Sequence, residues 1–221
     1  MPFSPDERPI EPPAPLSAGE RAVLWCLEQY RTARVPSIDL LASWAKPVGR
    51  GLDRMILAGT RLNHCAMAQS AAMLATIEEE IAPHRYRAGA RQLMDDAIIR
   101  GVWHKAAELK TGWRPRSGDL CIYDRSVPGR PETAWHGHVD RIQALGEVDM
   151  VCIGANEGPG GAWVIAPTRY DHPKLLGTIS YPAYARAAPR TPPKDLLTPE
   201  EIEHVRSLVA LSIAQSARGY A

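Results

Sequence analysis

The hydrophobic pattern of the chain changes near residue 110, and this change constrains the fold more than any other feature of the sequence. Before residue 110, apolar residues recur at the three- and four-residue spacing of amphipathic helices. After it, short apolar or alternating runs are separated by Gly, Pro and Asp, a pattern typical of antiparallel strands joined by tight turns. Helices followed by strands within 221 residues predict one α+β domain.

Three long helices are predicted in the first part of the chain, beside a short one that is indicated by Ile38, Leu40, Leu41 and Trp44. The first covers about residues 18–33, because Ser17 and Glu20 have the spacing of a capping box in front of an apolar stripe. The second covers residues 65–80, a run rich in Ala, Met and Leu that favours helix and permits close packing. The third covers residues 86–100 and is amphipathic. We expect the second helix to be central.

Five short runs predict the strands of a small antiparallel sheet, arranged as a meander. The second and third runs are close enough to form a hairpin, with a turn at Gly146–Glu147. The five runs are Leu120–Tyr123, Val139–Leu145, Val151–Ile153, Trp163–Ile165 and Leu175–Tyr181.

The two ends of the chain differ in composition from residues 17–183, which form the predicted domain. Residues 1–16 contain six prolines and predict an extended arm. Residues 184–197 are again proline-rich and predict a linker. Residues 198–221 predict a C-terminal amphipathic helix, which begins with a second capping box at Thr198.

Charge and hydropathy exclude two classes of partner. There are 26 Lys and Arg against 25 Asp and Glu, and the resulting net charge of +1 argues against nucleic acid or an anionic membrane as the main partner. No apolar run approaches the roughly 18–20 residues that a membrane span needs. The N-terminal sequence also lacks the basic and apolar segments of a Sec signal. We therefore expect a protein that is cytoplasmic as made.

One of the four cysteines has the position of a nucleophile. No two cysteines have the spacing of a metal finger or a redox pair, and a chain of this length does not need disulfides. Cys26 lies in the middle of a helix, and Cys121 and Cys152 lie within strands, so we expect all three to be buried packing residues. Cys65 stands at the predicted start of a helix, just after a plausible N-cap, Asn63. There the free first-turn amides favour a thiolate and can also hold an oxyanion.

A base and an orienting group are predicted on the hairpin. His138 begins the strand that leads into the turn. With the turn centred near residue 147, opposed residues have position numbers that add up to about 293–295. His138 then faces Ala155, Asn156 or Glu157, and a polar residue there can orient the imidazole. The sequence thus offers Cys65 as nucleophile, His138 as base, and Asn156 or Glu157 as orienting residue.

The order of these features resembles the CHAP family, the cysteine- and histidine-dependent amidohydrolases and peptidases of bacteria and their phages, which are related to NlpC-type cell-wall peptidases. The resemblance extends over residues 17–183. The segments that carry it are Asn63-His64-Cys65-Ala66, Arg116-Ser117-Gly118-Asp119-Leu120, Gly137-His138-Val139, Gly154-Ala155-Asn156 and Tyr181-Pro182.

This resemblance implies a papain-like α+β fold and hydrolysis of an amide bond in peptidoglycan by a Cys65-His138-Asn156 triad. Asn156 is favoured over Glu157 because it matches the glycine-asparagine position of the family, and because strand alternation would send Glu157 to the opposite face. No cofactor and no metal are expected. The expected partner is peptidoglycan or a peptide, and delivery to a cell wall would use a phage or a signal-independent secretion system. The sequence leaves the oligomeric state open.

Two departures from the family pattern support a different hypothesis, that of a module without catalytic activity. His64 stands where many members carry Trp before the nucleophile, and Gly154 stands where many carry Glu. These departures are the motive for the alternative of a catalytically silent CHAP-like module that binds wall fragments or a partner protein.

A metal-dependent hydrolase is the third reading. His136 and His138 form an H-x-H pair that could bind a metal together with His172 or Asp140. The sequence contains no further cluster of ligands at zinc-like spacing, so this reading depends on those side chains meeting in space.

Overall fold

A computed structural model of the chain describes residues 16–76 and 87–182. It confirms an α+β fold, in which helices pack on an antiparallel sheet of six strands. The predicted arm (except Leu16), the linker 184–197 and the helix 198–221 lie outside the described residues. The described helices are α1 (Ala18–Thr32), α2 (Ile38–Ala45), α3 (Leu52–Leu57), α4 (Cys65–Thr76), α5 (Ala90–Ile99) and α6 (Ala106–Lys110).

The predicted helix starts are confirmed where local capping determines them. In α1 the backbone N–H of Glu20 donates to Ser17 Oγ (3.2 Å), and the Ser17 N–H donates to the Glu20 carboxylate (2.8 Å). The second predicted helix begins at Cys65 as expected, and its predicted last residues, 77–80, lie outside the described part. The third begins at Ala90, later than the predicted residue 86.

All five predicted strands are present within a residue or a few of their predicted ends, and the sheet also contains a short strand that the sequence did not indicate. The extra strand, β1, is only three residues long, too short to show an alternating pattern. The strands are β1 (Trp103–Lys105), β2 (Leu120–Asp124), β3 (Gly137–Leu145), β4 (Asp149–Gly154), β5 (Val164–Arg169) and β6 (Leu175–Ile179).

The sheet is a meander only in its middle part. Its order is β1-β6-β2-β3-β4-β5, with every neighbouring pair antiparallel. Strand β6 leaves the meander, crosses to the other side and inserts between β1 and β2. This long-range pairing gives β2 two neighbours, so that β2 and β3 become central and buried on both faces.

Helix α4 is the central helix, as its small residues predict. Nine of its twelve residues are buried, including Cys65, because Ala side chains allow α1 and β3 to approach closely. A buried polar contact fixes the position of the helix against the sheet: Arg141 of β3 donates from Nε to Gln69 Oε1 (2.9 Å) and from Nη1 to the carbonyl of Gly118 (2.7 Å). One end of α4 is thereby held beside the start of β3.

Helix α1 lies close to Gly118, which precedes β2. A Cβ atom on Gly118 would lie 2.3 Å from the backbone Cα of Gly19, and Gly118 has a φ of +92°. Backbone atoms cannot move aside as a flexible side chain can, so both the contact and the backbone conformation require glycine.

We therefore expect Gly118→Ala to lower the free energy of unfolding by about 2–4 kcal/mol, from overpacking and backbone strain together. Gly59→Ala is the matched control, since Gly59 has a φ of +89° and open space around its Cα. In the control the free energy of unfolding should fall by only about 1 kcal/mol, the cost of the backbone strain alone. Urea denaturation measures both, and equal losses would contradict the close approach of α1.

Candidate active site

Cys65 is the first residue of α4, and the helix is capped by the residue before it. The carbonyl of His64 accepts a hydrogen bond from the N–H of Ala68 (2.8 Å), which makes His64 the N-cap. The prediction that Asn63 is the N-cap is wrong, because the Asn63 side chain accepts a hydrogen bond from the Asn156 amide (3.3 Å). The N–H groups of the first turn lack helical acceptors, as at any helix start.

The imidazole of His138 is held by two carboxylates. His138 lies at the start of β3 and is 1% exposed. Its Nε2 is 2.6 Å from Asp140 Oδ1 and 2.8 Å from Glu157 Oε1. Because ionised carboxylates only accept hydrogen bonds, Nε2 must carry the proton.

The other ring nitrogen of His138, Nδ1, does not face the two carboxylates. Within the described part of the chain, Nδ1 is buried and has no partner with regular hydrogen-bond geometry. The Cys65 side chain nevertheless interacts with this imidazole and helps to raise its pKa. The structure thus brings the side chains of Cys65 and His138 together.

The charges around His138 favour the imidazolium form. Burial alone would lower its pKa, but the negative charge of Asp140 and the hydrogen bonds with Asp140, Cys65 and Glu157 outweigh this effect. The pKa of His138 therefore lies well above its ordinary value. The hydrogen bond with His138 in turn lowers the pKa of Glu157, against the opposing effect of burial and with further help from Arg125.

The predicted hairpin is present, but it ends differently from the prediction. Leu145 pairs with Met150 and Arg141 with Ile153, so the position numbers of these pairs add up to 295 and 294, within the predicted range. Strand β4 then ends at Gly154, two residues before the predicted orienting residue.

Beyond β4 the chain places Glu157, rather than the expected Asn156, on the imidazole. Asn156 has a φ of +67°, and a left-handed residue interrupts the alternation of side chains on which the preference for Asn156 depended. Its side chain turns to Asn63, while Glu157 returns to His138. Arg125 steadies this turn by donating to the Asn156 carbonyl (3.3 Å) and to Glu157 Oε1 (3.1 Å).

Sequence reasoning missed Asp140 as an orienting residue and weighed it only as a metal ligand. The signal was present in the spacing: residues two apart on a strand share a face, so a carboxylate at position 140 lies beside the imidazole at position 138.

His64 is a buried structural residue. Its Nε2–H donates to the carbonyl of Gly161 (2.9 Å), and its ring packs near Trp44 at a centroid distance of 6.2 Å. Burial lowers the pKa of His64, so the ring is neutral when it makes this bond. His64 therefore ties the start of α4 to the loop that carries Glu157.

Of the residues proposed to bind a metal, His138 and Asp140 lie together, while His136 and His172 make other contacts. The His136 ring contacts Trp135, and His172 Nδ1 accepts from the Lys174 N–H (3.2 Å). Within residues 16–76 and 87–182, the group of side chains whose ligand atoms could hold a metal ion is His138, Asp140 and Glu157, with those atoms within 4.8 Å of one another. Any cation there would compete with the proton on Nε2.

The other three cysteines, Cys26, Cys121 and Cys152, are buried in hydrophobic clusters, as predicted.

No family model, curated protein or solved structure matches this chain. Across residues 16–76 and 87–182, none of the helices combines the length and apolar character needed to cross a bilayer.

The raised pKa of His138 predicts a pH dependence of stability. A group with a raised pKa in the folded state contributes stability that is fully present below its ordinary value of 6.5 and is lost as the pH rises through the folded value. Relative to His138→Gln, which keeps an N–H donor for Asp140, the parent should lose free energy of unfolding above pH 6.5. Urea denaturation between about pH 6 and 9 tests this, and parallel curves would contradict it.

Proposed function

We propose that this protein is a cysteine-dependent amidase or endopeptidase with a papain-like arrangement of its site. The observation that carries the proposal is the buried His138 imidazole, bound through Nε2 to carboxylates and interacting with Cys65 at a helix start. A thiol at a helix N-terminus beside a protonated imidazole has the surroundings of a nucleophile. Cys26, Cys121 and Cys152 are equally buried but lie within elements, away from any helix start.

In the proposed reaction, Nδ1 of His138 takes the proton of Cys65, or the two share an ion pair. The thiolate attacks the carbonyl carbon of an amide, forming a C–S bond, and the first-turn amides of α4 stabilise the oxyanion. As the C–N bond breaks, His138 returns its proton to the leaving amine. His138 then takes a proton from water, which hydrolyses the thioester and restores the Cys65 thiol.

Peptidoglycan is the proposed substrate, on the strength of the resemblance to the CHAP family in the order and spacing of its segments. The departure at Gly154 was one motive for the alternative of a silent module. This argument for a silent module is weakened, because carboxylates from two other positions, Asp140 and Glu157, bind the His138 imidazole. The departure at His64 has a packing explanation in its bond to Gly161.

Alkylation by iodoacetamide tests the nucleophile without knowledge of the substrate. At neutral pH, mass spectrometry should find a first adduct on Cys65 alone, because the other three thiols are buried and contact no imidazole among residues 16–76 and 87–182. His138→Ala should slow this adduct by about 10–100-fold, since the thiolate loses its counter-ion. His136→Ala is the matched control and should react at the parent rate.

Digestion of purified peptidoglycan sacculi tests the reaction. The parent should release fragments whose masses show hydrolysis of an amide, while Cys65→Ala should release none. His138→Ala should be equally inactive, and the double variant no worse, because groups that act as a unit are not additive. Turnover by Cys65→Ala at the parent rate would overturn the proposal, and binding to sacculi without any product would favour the silent module.

A further inference from the structure

Two carboxylates meet at one ring nitrogen, yet a single N–H can point well at only one acceptor. We propose that Asp140 is the residue that positions the His138 imidazole, and that Gly154 provides the space in which its carboxylate stands. The inference deepens the proposed function, because a base oriented in this way is useful only if His138 serves Cys65.

The two carboxylates differ in burial and in their other partners. The Asp140 side chain is 8% exposed and lies 2.6 Å from Nε2, whereas the Glu157 side chain is 25% exposed and also binds Arg125. A charge-assisted hydrogen bond is stronger where water is excluded, and a carboxylate that is shared and partly exposed restrains its partner less. Asp140 is also fixed by its strand, while Glu157 follows a turn.

The carboxylate of Asp140 occupies the volume that a side chain at position 154 would need. Arg141 pairs with Ile153, so Asp140 and Gly154 are the next positions along the two strands. A Cβ atom on Gly154 would lie 1.7 Å from Asp140 Oδ1, 2.7 Å from its Cγ and 3.2 Å from His138 Nε2. No side chain can stand at position 154 while the Asp140 carboxylate is in place.

The backbone itself does not require glycine at position 154. Gly154 is absent from the residues with positive φ, unlike Gly118 or Gly161. Space is therefore the reason for this glycine, and the departure from the family pattern gains a physical explanation. A carboxylate from β3 at position 140 and one from β4 at position 154 would compete for the same volume beside Nε2. This chain uses the former.

The test compares isosteric removal of each carboxylate. Asp140→Asn should lower the rate of Cys65 alkylation and of sacculus digestion by about 10–1000-fold, because the amide no longer enforces a proton on Nε2. Glu157→Gln removes the other carboxylate from the same nitrogen and should lower both rates at least about tenfold less than Asp140→Asn does, because Glu157 is more exposed and is shared with Arg125. The reverse ranking would overturn the proposal and assign the role to Glu157.

A reciprocal exchange tests the space. Gly154→Ala should lower the alkylation rate in the parent by at least about tenfold, because the new methyl group displaces the Asp140 carboxylate. When Asp140 is already replaced by Ala, adding Gly154→Ala should not lower the alkylation rate any further. Asp140→Ala with Gly154→Asp should regain at least about tenfold over Asp140→Ala alone. Independent, additive effects, with folding verified by circular dichroism, would contradict the shared volume.

NMR of the His138 ring tests the role of Asp140 separately from the proposed function. It also remains informative if an Asp140 variant loses activity for another reason. In the parent the ring carries its proton on Nε2, and Asp140→Asn should shift that resonance while Glu157→Gln leaves it nearly unchanged. If alkylation proves independent of His138, the proposed function fails, but the Nε2 resonance still decides which carboxylate positions the ring. An unchanged resonance in Asp140→Asn would overturn the inference.

Discussion

The arrangement of the site depends on one buried guanidinium. Arg141 is fully buried on β3 and donates to Gln69 of α4 and to the Gly118 carbonyl. A buried charge is costly unless it is fully hydrogen-bonded, so these contacts admit little change in the distance between helix and strand. Gln69 lies one turn after Cys65 and Arg141 lies three residues after His138. The contact that joins the two elements therefore also fixes the separation of Cys65 and His138.

Three glycines mark the places where this arrangement leaves no room for a side chain. Gly118 meets the backbone of α1, Gly154 meets the Asp140 carboxylate, and Gly161 meets the ring of His64. Each close approach positions a part of the site: the central strands, the base, and the loop that carries Glu157. The precision of the site comes from small residues as much as from the side chains that would react.

The polar groups of the site form a chain of alternating charge from the surface to the thiol. Arg125 at the rim binds Glu157, Glu157 and Asp140 bind the imidazolium of His138, and His138 meets Cys65. In this order each charge has an opposite neighbour, which compensates for the loss of hydration on burial. The same order keeps a proton on Nε2, which faces the two carboxylates.

Local pattern determined most of what the sequence alone could predict: the α+β class, the helix starting at Cys65, the strand carrying His138 and the register of the hairpin. These features depend on periodicity and turns within some ten residues. Only the tertiary structure decided the insertion of β6 beside β2, the burial of His64 against Gly161, and the replacement of Asn156 by Asp140 and Glu157 at the imidazole. Each of these depends on contacts between distant segments or on one left-handed residue, which periodicity does not reveal.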